Sequence, residues 1–425
     1  MSKFRKVLKN RDFFLLWVGQ IISQIGDRLG FMALIGFAYS KKAQGSSSEI
    51  FKILLFTIVP VFLIGPLAGA YADRWDRRRT MYGSDLLRAF LVLLIPLFLF
   101  YHKNLSVAYI LIFAVFCVAR FFLPAKMAAI PELVEEKDLL IANSLINITG
   151  MIAFVVGSGV SGILVEWVGA EKGFYIDSLS FIVSAACIFL ISKKSGGAIN
   201  LVKMGGEIVE VIRKSVVQEI KEGAVYFFKN KDIRLSAGIL FVFASALGAI
   251  SVVSIVFIQN TLHSATKDLG LLIMFLGAGL FAGTVLYGKL GQRLAHFKSA
   301  FVSLSLTGVM LIIFALEVSR YPVFSLAASL SFIIGLVVSP VITISNTIIH
   351  QASDSGMRGK IFSSIELVMH SGFLLAMYLS SILAEHFSQS TIIVIIGFVF
   401  CLLGVVSYIY NRDISWLKEK GGAYR

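Results

Sequence analysis

GPLAGAYADRWDRRR, residues Gly65 to Arg79, closes a long apolar run and then places two aspartates and four arginines in seven positions. Small residues at Gly65, Gly69 and Ala72 follow helical spacing, which lets two helices approach closely inside a bilayer. The charges that follow are too costly to leave in hydrocarbon. The stretch therefore reads as the end of a membrane helix and a short aqueous loop. An excess of Arg and Lys marks cytoplasmic loops, so this one is expected to face the cytoplasm.

The rest of the chain agrees with a polytopic membrane protein. Of its 425 residues 57% are hydrophobic and 15% charged, with a mean hydropathy of +0.85, well outside the range of a soluble domain. Cys117, Cys187 and Cys401 are odd in number, lie in apolar runs and lack metal-ligand spacing, so packing is their expected role. The charged opening MSKFRKVLKNR precedes an apolar run longer than a signal-peptide core, without a small-residue cleavage site, and is read as leading into a retained helix.

A bilayer core of about 30 Å needs about 20 helical residues, and twelve runs qualify. They cover about 13–40, 50–71, 80–101, 104–126, 140–167, 172–192, 233–260, 268–289, 299–317, 322–347, 361–385 and 391–410. Twelve crossings put both termini on one side. With the termini in the cytoplasm, 29 of the 39 Lys and Arg fall in cytoplasmic segments and 7 in outer loops, with Arg28, Arg88 and Arg120 inside helices. The +14 charge thus reflects topology and anionic headgroups, and no nucleic-acid partner is expected.

The chain also repeats itself. Asn10-Arg11-Asp12 recurs as Asn230-Lys231-Asp232, Gly65 and Gly69 as Gly279 and Gly283, and Pro124 as Pro340, at offsets of 220, 214 and 216. Near-constant offsets imply an all-α membrane protein of two pseudo-symmetric six-helix bundles in the same orientation. The expected divisions are residues 1–192, a linker over 193–232, residues 233–410 and a cytoplasmic tail over 411–425. Within the linker Val209, Ile212, Val216, Ile220, Ala224 and Phe227 form a helical stripe, as expected for an amphipathic helix lying on the membrane surface.

Gly69, Asp73, Arg74, Arg77 and Arg78 match G-x-x-x-D-R-x-x-R, and at these residues the chain resembles the major facilitator superfamily. PAKMAAIPELVEEKDLLIANSL from Pro124 and FYIDSLSFIVSA from Phe174 are similar to bacterial 12-helix exporters related to macrolide-efflux and enterobactin-exporting proteins. The resemblance implies export of an amphipathic small molecule by alternating access, usually in exchange for protons. It also implies that Asp73 faces the start of the eleventh helix near Arg358 to Ile361, with Arg74 and Arg78 completing a charge network, as a latch. Arg120 loosely matches a fourth-helix arginine implicated in proton transfer, and closing an ion pair is its other reading. The fifth-helix antiporter signature is incomplete: Gly157-Ser158-Gly159-Val160-Ser161-Gly162 lacks its proline.

Ionisable residues inside the helices are the candidates for mechanism, because each needs water or a partner. Asp27 stands 15 residues beyond Asp12, roughly 22 Å along the first helix. A carboxyl group so placed suits proton uptake and release, and an ion pair to a neighbouring helix is its other reading. Arg28 is turned about 100° from Asp27 and belongs to another face. Asp85 and Arg88, three apart, suit a structural pair. Glu366 and His370 share one helix face, as a second coupling pair or as a polar clamp. Arg28, Asp177 and Asn147 are candidates for lining the cavity or vestibule, with helix capping open for Asp177.

No P-loop, G-x-S-x-G, H-E-x-x-H or paired-cysteine motif occurs, so the expectation is a transporter, not an enzyme, without cofactor or resident metal. The expected partners are an amphipathic small molecule, protons and membrane lipids, around a monomer in the bacterial inner membrane. A lysophospholipid transporter is the rival, ahead of a divalent-metal exporter or a non-transporting receptor.

Overall fold

The computed structural model describes residues 3–41, 47–72, 75–192, 231–290, 296–352 and 358–410. All regular structure among them is helical: α1 (Lys3–Leu8), α2 (Arg11–Lys41), α3 (Ser47–Ala72), α4 (Arg77–Pro96), α5 (Leu105–Leu133), α6 (Leu139–Val168) and α7 (Ala170–Phe189). They are followed by α8 (Lys231–Leu262), α9 (Lys267–Leu290), α10 (His296–Arg320), α11 (Phe324–Ala352), α12 (Arg358–His386) and α13 (Gln389–Tyr410). A π-helical turn, Leu97–Tyr101, extends α4, and a 3₁₀ turn, Glu136–Asp138, precedes α6. Twelve helices, α2 to α13, are long and apolar enough to cross a membrane. The expected runs match them within a few residues, except that α5 continues past residue 126 to Leu133. It passes through Pro124 and Pro131, which membrane helices tolerate when neighbours satisfy the freed carbonyls. The linker helix and the tail expected from the sequence lie outside the described residues.

Helix starts follow local chemistry. Asn10 Oδ1 accepts the N–H groups of Asp12 (3.1 Å) and Phe13 (3.2 Å) and so caps α2, while its Nδ2 donates to Leu133 O (2.6 Å). The Asp12 carboxylate accepts the Ser192 N–H (3.0 Å), joining the start of α2 to the end of α7. Asp76 caps α4 through the Arg79 N–H (2.9 Å), and Asn104 caps α5 through the Val107 N–H (3.3 Å).

The chain divides into two compact units: Met1–Val225 with Ile258–Met274 and Phe362–Leu367, and Tyr226–Phe257 with Phe275–Ile361 and Val368–Arg425. In the first, α2 packs on α6 and α7, and α5 on α3 and α4. Phe13, Leu16, Met81, Phe122, Ile130 and Ile188 are buried in a cluster at the basic helix ends. In the second, α10 packs on α11 and α13. Because lipid is as apolar as Leu, this packing relies on close approach and not on burial from water.

Close approach depends on glycine. Within the first unit a Cβ on Gly162 would lie 2.6 Å from Thr266 O and 3.0 Å from Gly270 Cα, so the backbones of α6 and α9 touch there. Gly162 of the incomplete fifth-helix signature thus serves close helix packing. Gly65 does not: among the described residues a Cβ there meets nothing within 4 Å. Its counterpart Gly279 is pressed against Phe332 of α11, and Gly283 would place a Cβ 2.6 Å from Ser339 Oγ. The small-residue pattern is shared by both copies, and the second is closely packed at Gly279 and Gly283.

Candidate functional site

Four charged residues, Asp27, Asp85, Arg88 and Asp177, converge within the first unit. Arg88 projects from α4 and pairs with Asp85 one turn earlier, and its guanidinium also reaches Asp27 of α2 at 3.5 Å. Ser184 of α7 donates to the second Asp85 oxygen at 2.6 Å. Phe181 and Phe122 lie 4.1 and 5.4 Å from the guanidinium carbon, adding cation–π attraction. Asp85 and Arg88 are buried, whereas the Asp27 side chain keeps 37% of its surface exposed. The expected structural pair is present, and Asp27 is its more open third member.

Asp177 of α7 approaches the same region. It stands two turns into its helix, so it caps no helix end, and with 4% of its surface exposed it is enclosed. Gly26 and Gly30, one turn apart on α2, make room for it: a Cβ on Gly26 would lie 2.9 Å from Asp177 Oδ1, and one on Gly30 3.0 Å from its Cγ. Asp177 Oδ1 has no hydrogen-bond partner among the described residues. Asp27 and Asp177 both line a cavity of about 30 Å³, walled by Phe31, Val92, Phe116 and Phe174 among others. That volume admits about two waters.

Arg28 points elsewhere, as its 100° offset predicts, with its guanidinium 4.9 Å from the Phe154 ring of α6. Arg120 of α5 is half-buried, forms no ion pair among the described residues, and its Nε is without a hydrogen-bond partner there. Asn147 is exposed on α6. His370 is half-buried on α12 in the second unit. The Glu366 side chain lies outside the described residues.

Of the expected latch, Asp73 and Arg74 also lie outside the described residues. Gly69 falls within α3, and Arg77 and Arg78 open α4. Arg77 pairs with Glu132 of α5 and donates to Ala128 O at 2.9 Å. Arg78 donates to Phe189 O and to Ile188 O (3.3 Å) at the end of α7, where a cation complements the helix dipole. These two arginines thus serve neighbouring helices of their own unit. Sequence reasoning missed Glu166, at the end of α6, whose carboxylate accepts N–H groups at the start of α9. Its only signal was an acidic residue closing an apolar run.

The family described as "Transmembrane secretion effector" matches residues 4–412. The chain belongs to this family of the major facilitator superfamily. This transporter is 22% identical to macrolide efflux protein A of Streptococcus pyogenes, over 94% of its own length and 96% of that protein. It is 23% identical to the multidrug efflux pump Tap of Mycolicibacterium fortuitum, over 87% and 88% of the two chains. Its fold is similar to that of a bacterial homologue of the iron transporter ferroportin in an inward-facing state, with TM-score 0.67, 17% identity and coverage of 94% and 98%. It is a multi-pass membrane transporter.

Proposed function

We propose that this transporter exports amphipathic organic small molecules across the bacterial inner membrane by alternating access, driven by proton antiport. The termini face the cytoplasm, two six-helix bundles joined by the 193–232 linker move about a midplane site, and the protein works as a monomer. Full-length similarity to macrolide and multidrug efflux proteins supports the substrate class. The observation that carries proton coupling is Asp27: a half-open carboxylate in a membrane helix, 3.5 Å from an arginine that already has a nearer partner.

That arrangement suits a reversible charge. Ionised Asp27 attracts Arg88 and ties α2 to α4. Protonated Asp27 gives up that attraction, while Arg88 keeps Asp85 and is not stranded. Proton binding therefore loosens one helix contact without leaving a buried charge unpaired. Asp73 is assigned the role of cytoplasmic latch in this scheme, on the resemblance of its loop to the superfamily signature.

The test uses proteoliposomes containing a pH dye, challenged with macrolides, cationic dyes and lysophospholipids. Substrate-dependent proton flux is expected from the wild type and not from Asp27→Asn. Lysophospholipid movement without proton movement overturns the proposal in favour of a flippase.

A further inference from the structure

Asp177 is the one side chain of the buried charge cluster that the exchange scheme above does not use. Its Oδ1 is enclosed, has no hydrogen-bond partner among the described residues, and borders the cavity that Asp27 also lines. The charges around it are few. Arg88, from α4, is engaged by Asp85 and Asp27. Arg28 lies over Phe154 but, like Arg88, is within electrostatic reach of Asp177, and Arg120 of α5 is within electrostatic reach of Asp27 and Arg88. Two carboxylates beside one cavity, one of them buried, repel each other unless something positive lies between them.

We propose that Asp27 and Asp177 form a single site for one small monovalent cation, a proton or a sodium ion, held in the cavity lined by α2, α4, α5 and α7. The cavity sets the class of ligand. About 30 Å³ excludes an organic ammonium group with its substituents. A divalent ion needs six or more oxygens, and among the described residues the two carboxylates are the only acidic side chains lining this space. A proton needs two oxygens within reach of one another. A sodium ion fits beside the two carboxylates with water completing its shell. Gly30 is part of the site, because any larger residue there would push the Asp177 carboxylate out of position, whereas a Cβ on Gly26 would meet Ser180 before Asp177 Oδ1.

The proposal rests on the reading of Asp27 as the ion-carrying residue, so its test scores binding without transport. Purified full-length protein in detergent is titrated in two arms. In sodium-free choline buffer, infrared difference spectra between alkaline and acidic pH report the carbonyl band of a protonated carboxyl group. At alkaline pH, radioactive sodium reports saturable binding.

One arm is expected to show about one ion per chain, and both Asp27→Asn and Asp177→Asn to weaken that binding at least about tenfold. Gly30→Ala retains both carboxylates and is expected to weaken it several-fold. Glu166→Gln, remote from the site, should bind as wild type and serves as the control. A signal that survives Asp177→Asn overturns the shared site even if Asp27→Asn abolishes it. So does the absence of any signal in a monodisperse wild type. Loss through Asp27 alone would leave proton antiport standing while refuting the two-residue site.

Discussion

Glu166 closes α6 and its Oε2 accepts the backbone N–H of Thr266 at 2.7 Å, so one helix end caps the start of another 100 residues along the chain. The same oxygen accepts the Lys267 N–H at 3.2 Å, Oε1 accepts the Ala265 N–H at 3.3 Å, and Thr266 Oγ1 donates to Gly162 O at 2.9 Å. A carboxylate facing unpaired N–H groups at a helix start contributes about 1–2 kcal/mol when partly buried. Glu166→Ala is therefore expected to destabilise the protein by that amount, and Glu166→Gln by less, because its amide oxygen still accepts. Equal unfolding midpoints for wild type and Glu166→Ala in detergent would refute the cap.

The backbone contact beneath that cap gives a steric prediction. Gly162→Leu must displace Gly270 and the Thr266 carbonyl, at a cost of about 1–3 kcal/mol or more. Gly65→Leu, with nothing within 4 Å of its Cβ among the described residues, is expected to stay within about 1 kcal/mol of wild type. Thermal unfolding of the two variants side by side checks the contrast, and equal shifts would refute it.

Arg88 carries the electrostatic prediction. Its removal strands Asp85, whose other partner among the described residues is the Ser184 hydroxyl. Arg88→Ala is expected to cost about 3–5 kcal/mol, and the Asp85→Leu/Arg88→Met double variant to recover much of that loss. Asp27→Asn should cost less than about 1 kcal/mol, since Asp27 is more than one third exposed and Arg88 retains Asp85. A double variant no more stable than Arg88→Ala would refute the pairing argument.

A pH effect is expected at α1. Lys137 bonds Glu135 and holds its carboxyl below the ordinary carboxylate value of 4.5, with help from Lys6. A depressed folded value means the stabilisation is present above the unfolded value and fades as pH falls through the folded one. Amide exchange in α1 should therefore be constant from neutral pH down to about 5, after correction for intrinsic rates, and accelerate below 4.5. Uniform protection through that window would contradict it, and raising salt should mimic the acid effect.

Some side-chain relationships could be read one helix at a time. The Asp85–Arg88 pair follows from a spacing of three, and the separate orientation of Arg28 from 100° per residue. The expectation that Asp27 either carries a proton or pairs with another helix left open which helix. The structure places it on Arg88. Asp177 read as a vestibule or capping residue because a sequence does not say what lies across from it. Gly26 and Gly30 do, and they stand about 150 residues earlier.

What the sequence determined by itself is the set of twelve membrane helices and most of their limits, the end of α5 excepted. Insertion of about 20 apolar residues depends only on the segment and its flanking charges, both of which are local. The tertiary structure decided which polar groups meet across helices: Arg88 with Asp27, Asp177 in the gap left by two glycines, Glu166 on the start of α9. Each contact is made by segments far apart in the chain, and its geometry depends on how helix faces rotate and pack. In a bilayer those rotations are set by small residues and buried polar groups in combination, and no single segment encodes them.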